Sequence, residues 1–154
     1  MDYIINGSSL RDIYNTESTN AVPLFWPMPD KKQSVRVDLP DMNGVKIDTE
    51  SPRFSARQFT LSCVMSGLTI LEVKNTWFGL FSLLRIGGLY SMYNDYVDMT
   101  IYVTYSKQQN LTAPYQNSNG GLSIRFDLLF EESDPFINIP NVFLVDESNR
   151  FLVP

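Results

Sequence analysis

Few side chains in this sequence could do chemistry, and their spacing suits it poorly. No histidine occurs among the 154 residues, which removes the commonest general base, the usual nucleophile–His–acid triads and most transition-metal sites. The single cysteine, Cys63, falls on the apolar side of an alternating run. With no imidazole to take its proton it reads as an inert core thiol. One cysteine also excludes an internal disulfide and any zinc or iron–sulfur cluster, and fits a reducing compartment. Glu131, Glu132 and Asp134 gather at the end of another alternating run. Two-carboxylate hydrolysis needs one acid buried beside a second, and a solvated face is the simpler reading of this cluster. "DMNGVKIDTE" (41–50) holds three acids and a glycine, but not the alternating ligands of a calcium loop. "NSNGG" (117–121) lacks both the lysine of a phosphate loop and the spaced glycines of a dinucleotide site. The sequence therefore predicts no catalytic residue, no metal site and no cofactor, and a non-enzymatic role.

Composition narrows the alternatives. Apolar residues make up 44% and charged residues 19%, which excludes a mostly disordered chain and fits one domain built around one core. A formal charge of −5, with no basic cluster beyond Lys31-Lys32, argues against nucleic acid as a partner, because phosphate neutralisation needs a basic patch. The opening "MDYIINGSSLRD" is acidic at position 2 and polar by position 6, unlike a secretory leader. The longest apolar segment, 69–89, is interrupted by Glu72, Lys74, Asn75 and Arg85, so no membrane span is expected and the chain should be soluble.

The elements that would position any site are clearer. In "RQFTLSCVM", Phe59, Leu61, Cys63 and Met65 alternate with Gln58, Thr60, Ser62 and Val64, the period of a half-buried strand. After Gly67 the apolar residues Ile70, Val73, Trp77, Leu80, Phe81 and Leu84 follow helical spacing. An amphipathic helix over about 69–86 is predicted, with Thr69 as N-cap and Gly87-Gly88 as left-handed C-cap. Its apolar face, Trp77 included, should lie on the sheet. "GLYSMYND" and "YVDMTIYVTYS" read as a hairpin turning at Asn94-Asp95. "GLSIRFDLLFEE" is the clearest alternating strand and should pair with the 96–105 strand. Residues 106–120 between them are polar and read as a long exposed loop that could be shortened at little cost. The tyrosines at 90, 93, 96, 102 and 105 fit the two faces of a sheet more simply than a stacking platform.

The ends are less regular. "YIINGSSL" is a short strand with an Asn6-Gly7 hairpin turn. "NAVPLFWPMPDKK" carries three prolines among Phe25, Trp26 and Met28, an apolar arm that is neither helix nor central strand. "VFLVDESNRFLVP", with Phe143 and Phe151, is an arm or edge hairpin over 141–154, set apart from a single β domain over 1–140. The fold class expected is α+β: a mainly antiparallel β-sandwich or curved sheet with one amphipathic helix packed against it.

The order of these pieces resembles the N-terminal domain of phage distal tail proteins, the ring-forming baseplate hub proteins of long-tailed phages. The resemblance runs from about residue 3 to residue 132 and is carried by "YIINGSSLRDI", "ARQFTLSCVMSG", "LFSLLRIGG" and "LYSMYNDYVDMTIYV". It implies a homo-hexameric ring at the distal end of the tail tube, with tube, baseplate hub and fibre proteins as partners, and a virion component made in the bacterial host cytoplasm. Many relatives carry a further galectin-like domain, with no counterpart in these 154 residues. Nucleic acid, membrane and cofactors are not expected partners. For such a ring the candidate interface residues are Phe25, Trp26, Met28, Gln108, Asn110, Tyr115, Phe143 and Phe151. The alternative from composition alone is a small β-rich module binding a ligand or carbohydrate through exposed tyrosines and the 106–121 loop. A hydrolase using the 131–134 acids is a third and poorer fit.

Overall fold

A computed structural model describes residues 2–20, 29–30, 32, 36–38, 45–47 and 54–134. The arm with Phe25, Trp26 and Met28, the connection after Asp38, and the 141–154 tail with Phe143 and Phe151 lie outside the described residues. Ten strands and two helices follow in the order β1 (Tyr3–Ile5), β2 (Ser8–Ser9), α1 (Leu10–Tyr14), β3 (Thr16–Ser18), β4 (Arg36–Asp38), β5 (Val45–Ile47), β6 (Arg57–Gly67), α2 (Ile70–Leu84), β7 (Leu89–Asn94), β8 (Met99–Gln109), β9 (Tyr115–Gln116) and β10 (Leu122–Glu132). Eight strands form one antiparallel sheet ordered β2-β1-β7-β8-β10-β6-β3, with β9 beside β10, curled into a half-barrel around the helices. The curved-sheet form of the α+β expectation is the one adopted. Among the described residues β4 and β5 form a separate two-stranded pair.

The middle of the sheet is the long β6–β10 ladder, in register from Leu122↔Gly67 to Glu132↔Arg57. Its alternation sends Phe59, Leu61, Cys63, Met65, Ile124, Phe126, Leu128 and Phe130 into the core. Asn6 (φ 49°) and Gly7 (φ 79°) are both left-handed, as the two-residue turn from β1 to β2 requires. β1 then pairs with β7. Where β3 ends, Asn20 extends the ladder with its side chain, accepting from Ser62 N and donating to Thr60 O.

Two backbones meet closely where β6 and β10 begin their pairing at Gly67 and Gly121. A Cβ on Gly121 would lie 2.8 Å from the Gly67 carbonyl oxygen, and one on Gly67 would lie 2.9 Å from Val73 Cγ2. Both positions therefore need glycine for space. Gly79 inside α2 has no such need: a Cβ there would lie 3.4 Å from the Tyr14 ring on α1, an ordinary contact.

Several expectations are corrected. The hairpin turn is longer than Asn94-Asp95, and β8 starts at Met99 rather than Tyr96. The buried Asn94 amide accepts from both Tyr96 N and Val97 N, so its side chain builds the turn in place of further ladder bonds. The segment 106–120 is exposed along most of its length but is strand in part. β8 continues to Gln109, with a register shift opposite Leu129/Phe130, and Tyr115–Gln116 add β9. Polar side chains hid this strand because one face of the ladder looks outward and needs no apolar residues. Deleting 107–119 would remove sheet pairing. The acid cluster is a solvated face only in part: Asp134 is exposed and Glu131 half-buried, but Glu132 is fully buried and pairs with Arg57 Nε.

Candidate interaction surfaces

α2 begins at Thr69, whose hydroxyl accepts from Glu72 N, while the Glu72 carboxylate accepts from Leu68 N. The arrangement is close to a capping box, with the glutamate reaching one residue past the N-cap. At the other end Tyr90 of β7 is buried and its hydroxyl donates to Leu84 O and accepts from Gly87 N. Gly87 and Gly88 have φ of 76° and 90°, so the chain leaves the helix in the left-handed region and returns into β7. The helix is thus fixed at both ends over the inner face of the sheet.

Only part of its apolar surface is used there. Val73, Leu80 and Leu84 are buried, and Trp77 is half-buried, its ring edge-on to Phe126 at 4.8 Å between centroids. Ile70 and Phe81, expected on the same face, are exposed instead, together with Leu71 and Phe78. Ile70, Phe78 and Phe81 belong to a stripe rotated by roughly a quarter turn from the buried one, at about 100° per residue. The apolar arc of α2 is therefore about twice as wide as the sheet can cover. Ile86 and Leu89, just beyond the helix, are 77% and 56% exposed. Contiguous apolar surface of this extent marks an interaction site.

The outer face of the sheet is different in kind. Thr19, Ser62, Asn110, Thr112, Arg125 and Asp127 surround a hollow of about 440 Å³. Its polar groups bond to one another. Asn110 Nδ2 donates to the Asp127 carboxylate at 2.6 Å, Thr112 Oγ1 accepts from Arg125 N, and Arg125 Nε donates to Tyr115 Oη at 3.0 Å with the guanidinium over the ring. These contacts tie the β8–β10 connection to the sheet. Of the candidate interface residues, Asn110 and Tyr115 lie together here. Gln108 is on the inner side, across from Leu128 and beside Trp77 and Phe81. The sequence reading did not single out the exposed α2 stripe. The signal was present in the extra apolar residues at Leu71 and Phe78, which a one-face helix does not need.

Chemistry is sparse among the described residues. No group of three or more His, Cys, Asp or Glu there could hold a metal ion, and no described helix is long and apolar enough to cross a membrane. Burial, with a smaller contribution from the Asp127 charge, pushes the Cys63 thiol up from 9.0 to about 12. Between these values the folded chain keeps a proton that the unfolded chain loses, so this contribution is complete below pH 9 and disappears as pH rises toward 12. We expect the unfolding free energy of the parent to fall more steeply over that window than that of Cys63→Ala, by up to ~1.4 kcal/mol per pH unit. Urea titrations at stepped pH measure the difference, and parallel curves would contradict the buried thiol.

The same curled sheet with its packed helix is found in a solved structure. The chain superposes on the Dit protein of phage SPP1, described as a paradigm of the hub adsorption apparatus in phages that infect Gram-positive bacteria, with a TM-score of 0.55 and 14% sequence identity. No protein-family model and no curated protein matches the chain. The superposition covers 87% of this chain and 50% of the SPP1 protein, so the chain spans about half the length of that neighbour. It shares the fold of a phage hub protein.

Proposed function

We propose that the chain is a structural component of a long-tailed phage virion, forming an oligomeric ring at the distal end of the tail tube and joining the tube to the baseplate hub or fibres. The observation that carries this reading is the fold held in common with the SPP1 hub protein across 87% of the chain. The exposed apolar stripe on α2 supports it, since such a surface is of the kind that marks an interaction site. The hollow on the outer face lends less to a ligand-binding reading, because its charged and amide groups are engaged with each other. Hexamerisation, the partners in the tail and the place at its distal end are parts of this proposal. The test is light scattering behind size exclusion on the purified chain, with negative-stain class averages of the same fraction. A particle of six times the chain mass with a central hole is expected. A monomer or dimer without ring-shaped averages overturns the reading.

A further inference from the structure

Ile70, Leu71, Phe78 and Phe81 on α2, with Ile86 and Leu89 after it, are between 47% and 77% exposed. Together they expose several hundred Å², on the order of the ~800 Å² that one partner contributes to a standard interface. Two cations, Lys74 and Arg85, lie along the same stripe at helical spacing, and Lys74 Nζ sits 6.0 Å from the centre of the Phe78 ring. Among the described residues the chain offers a surface of opposite character at the β7–β8 turn. Asp95, Tyr96 and Asp98 are all exposed there, Tyr96 by 70%. This turn is held before any partner arrives. Asn94 accepts from Tyr96 N and Val97 N, Tyr93 Oη donates to Asp98 at 3.0 Å, and Asp95 accepts from Asp2 N, so docking it would cost little ordering.

We infer that the α2 stripe receives the β7–β8 turn of a second copy of this chain, Tyr96 lying on the apolar side chains and Asp95 and Asp98 facing Lys74 and Arg85. The inference rests on the ring reading and adds the surfaces that make it. Leu89 opens β7 beside the end of α2 and Asn94 closes it at the turn, so the two surfaces sit at opposite ends of a six-residue strand roughly 20 Å long. One chain cannot satisfy both within itself. A contact between two different surfaces repeats head to tail, and the repeat closes into a ring where the rotation allows.

Sedimentation velocity on the full chain tests this by charge exchange. Lys74→Glu with Arg85→Glu should weaken association at least tenfold, and so should Asp95→Lys with Asp98→Asn, the asparagine chosen because position 98 has φ 49°. All four together should restore most of the assembly. A parent chain that oligomerises while both charge variants assemble unchanged overturns this pairing and leaves the ring reading standing. So does weakening in both without recovery in the combination. A monomeric parent overturns the ring reading itself and this inference with it. Phe78→Glu should lower the assembled mass at unchanged melting temperature; a lowered melting temperature at unchanged mass would mean that the stripe is covered within the same chain, and the inference falls.

Discussion

Arg57→Ala is expected to lower the unfolding free energy by about 3–5 kcal/mol, seen as a fall in the urea midpoint at constant slope. Glu132 has no exposed surface and the Arg57 side chain is 10% exposed. Removing the guanidinium therefore leaves a carboxylate in a place that water does not reach. The loss comes from the weakened charge compensation of that buried carboxylate rather than from the net worth of the pair, because desolvation offsets most of the attraction between two buried ions. A companion variant separates these effects. Arg57→Met with Glu132→Leu removes both charges and keeps most of the volume, and its stability should return to within about 1–2 kcal/mol of the parent. Arg57 also lies over the Phe59 ring at 5.1 Å, a packing contact that methionine largely retains. A change below about 1 kcal/mol for Arg57→Ala would show that Glu132 is solvated in solution.

Trp77→Ala should cost about 3 kcal/mol, toward the lower end for a large core residue because the indole is only half-buried. Part of the loss, about 0.5–1.5 kcal/mol, is the edge-on contact with Phe126. The useful control is Phe81→Ala. Phe81 is 47% exposed on the stripe turned away from the sheet, and its removal should change the stability of the monomer by less than about 1 kcal/mol. Equal losses at the two positions would contradict the division of α2 into a packed and an open stripe.

The sequence makes some of this legible and hides the rest for identifiable reasons. β6 and β10 alternate without interruption because one face of each meets the core, and both fall within a residue or two of their expected places. The start of α2 was equally readable from Thr69, but its C-cap is Arg85, still right-handed and two residues short of the glycine pair that was expected to cap it. α1, β3 and β9 were not readable, since each is five residues or fewer, too short for a period to show. β3 exists because β6 offers it an edge, and β9 because β10 does. The polar end of β8 was hidden by the same tertiary logic. Glu132 occupies an inward position of the alternation, which identifies it as buried only once its partner is known. Arg57 is that partner because antiparallel register brings the two ends of the β6–β10 ladder together. Gln108, Asn110 and Tyr115 are close in sequence, yet β8 ends at Gln109 and Asn110 turns left-handed (φ 54°), so Gln108 stays on the inner side while Asn110 and Tyr115 lie on the outer one, and they do not form one interface.

The β6–β10 ladder also bears on how the chain comes to be folded. Leu122, the first residue of β10, follows Gly67, the last of β6, by a long intervening stretch containing α2 and the β7–β8 hairpin. While the ribosome makes that stretch, at roughly 5–20 residues per second, the completed β6 waits for several seconds with Phe59, Leu61 and Met65 unpaired on the β10 side. During that interval α2 and the β7–β8 hairpin, whose contacts are local, can form first. In the folded chain the other edge of β6 is covered by β3 and the amide of Asn20, both synthesised before β6, so the partners of that edge are already at hand when β6 emerges and the β10 side is the edge left to protect.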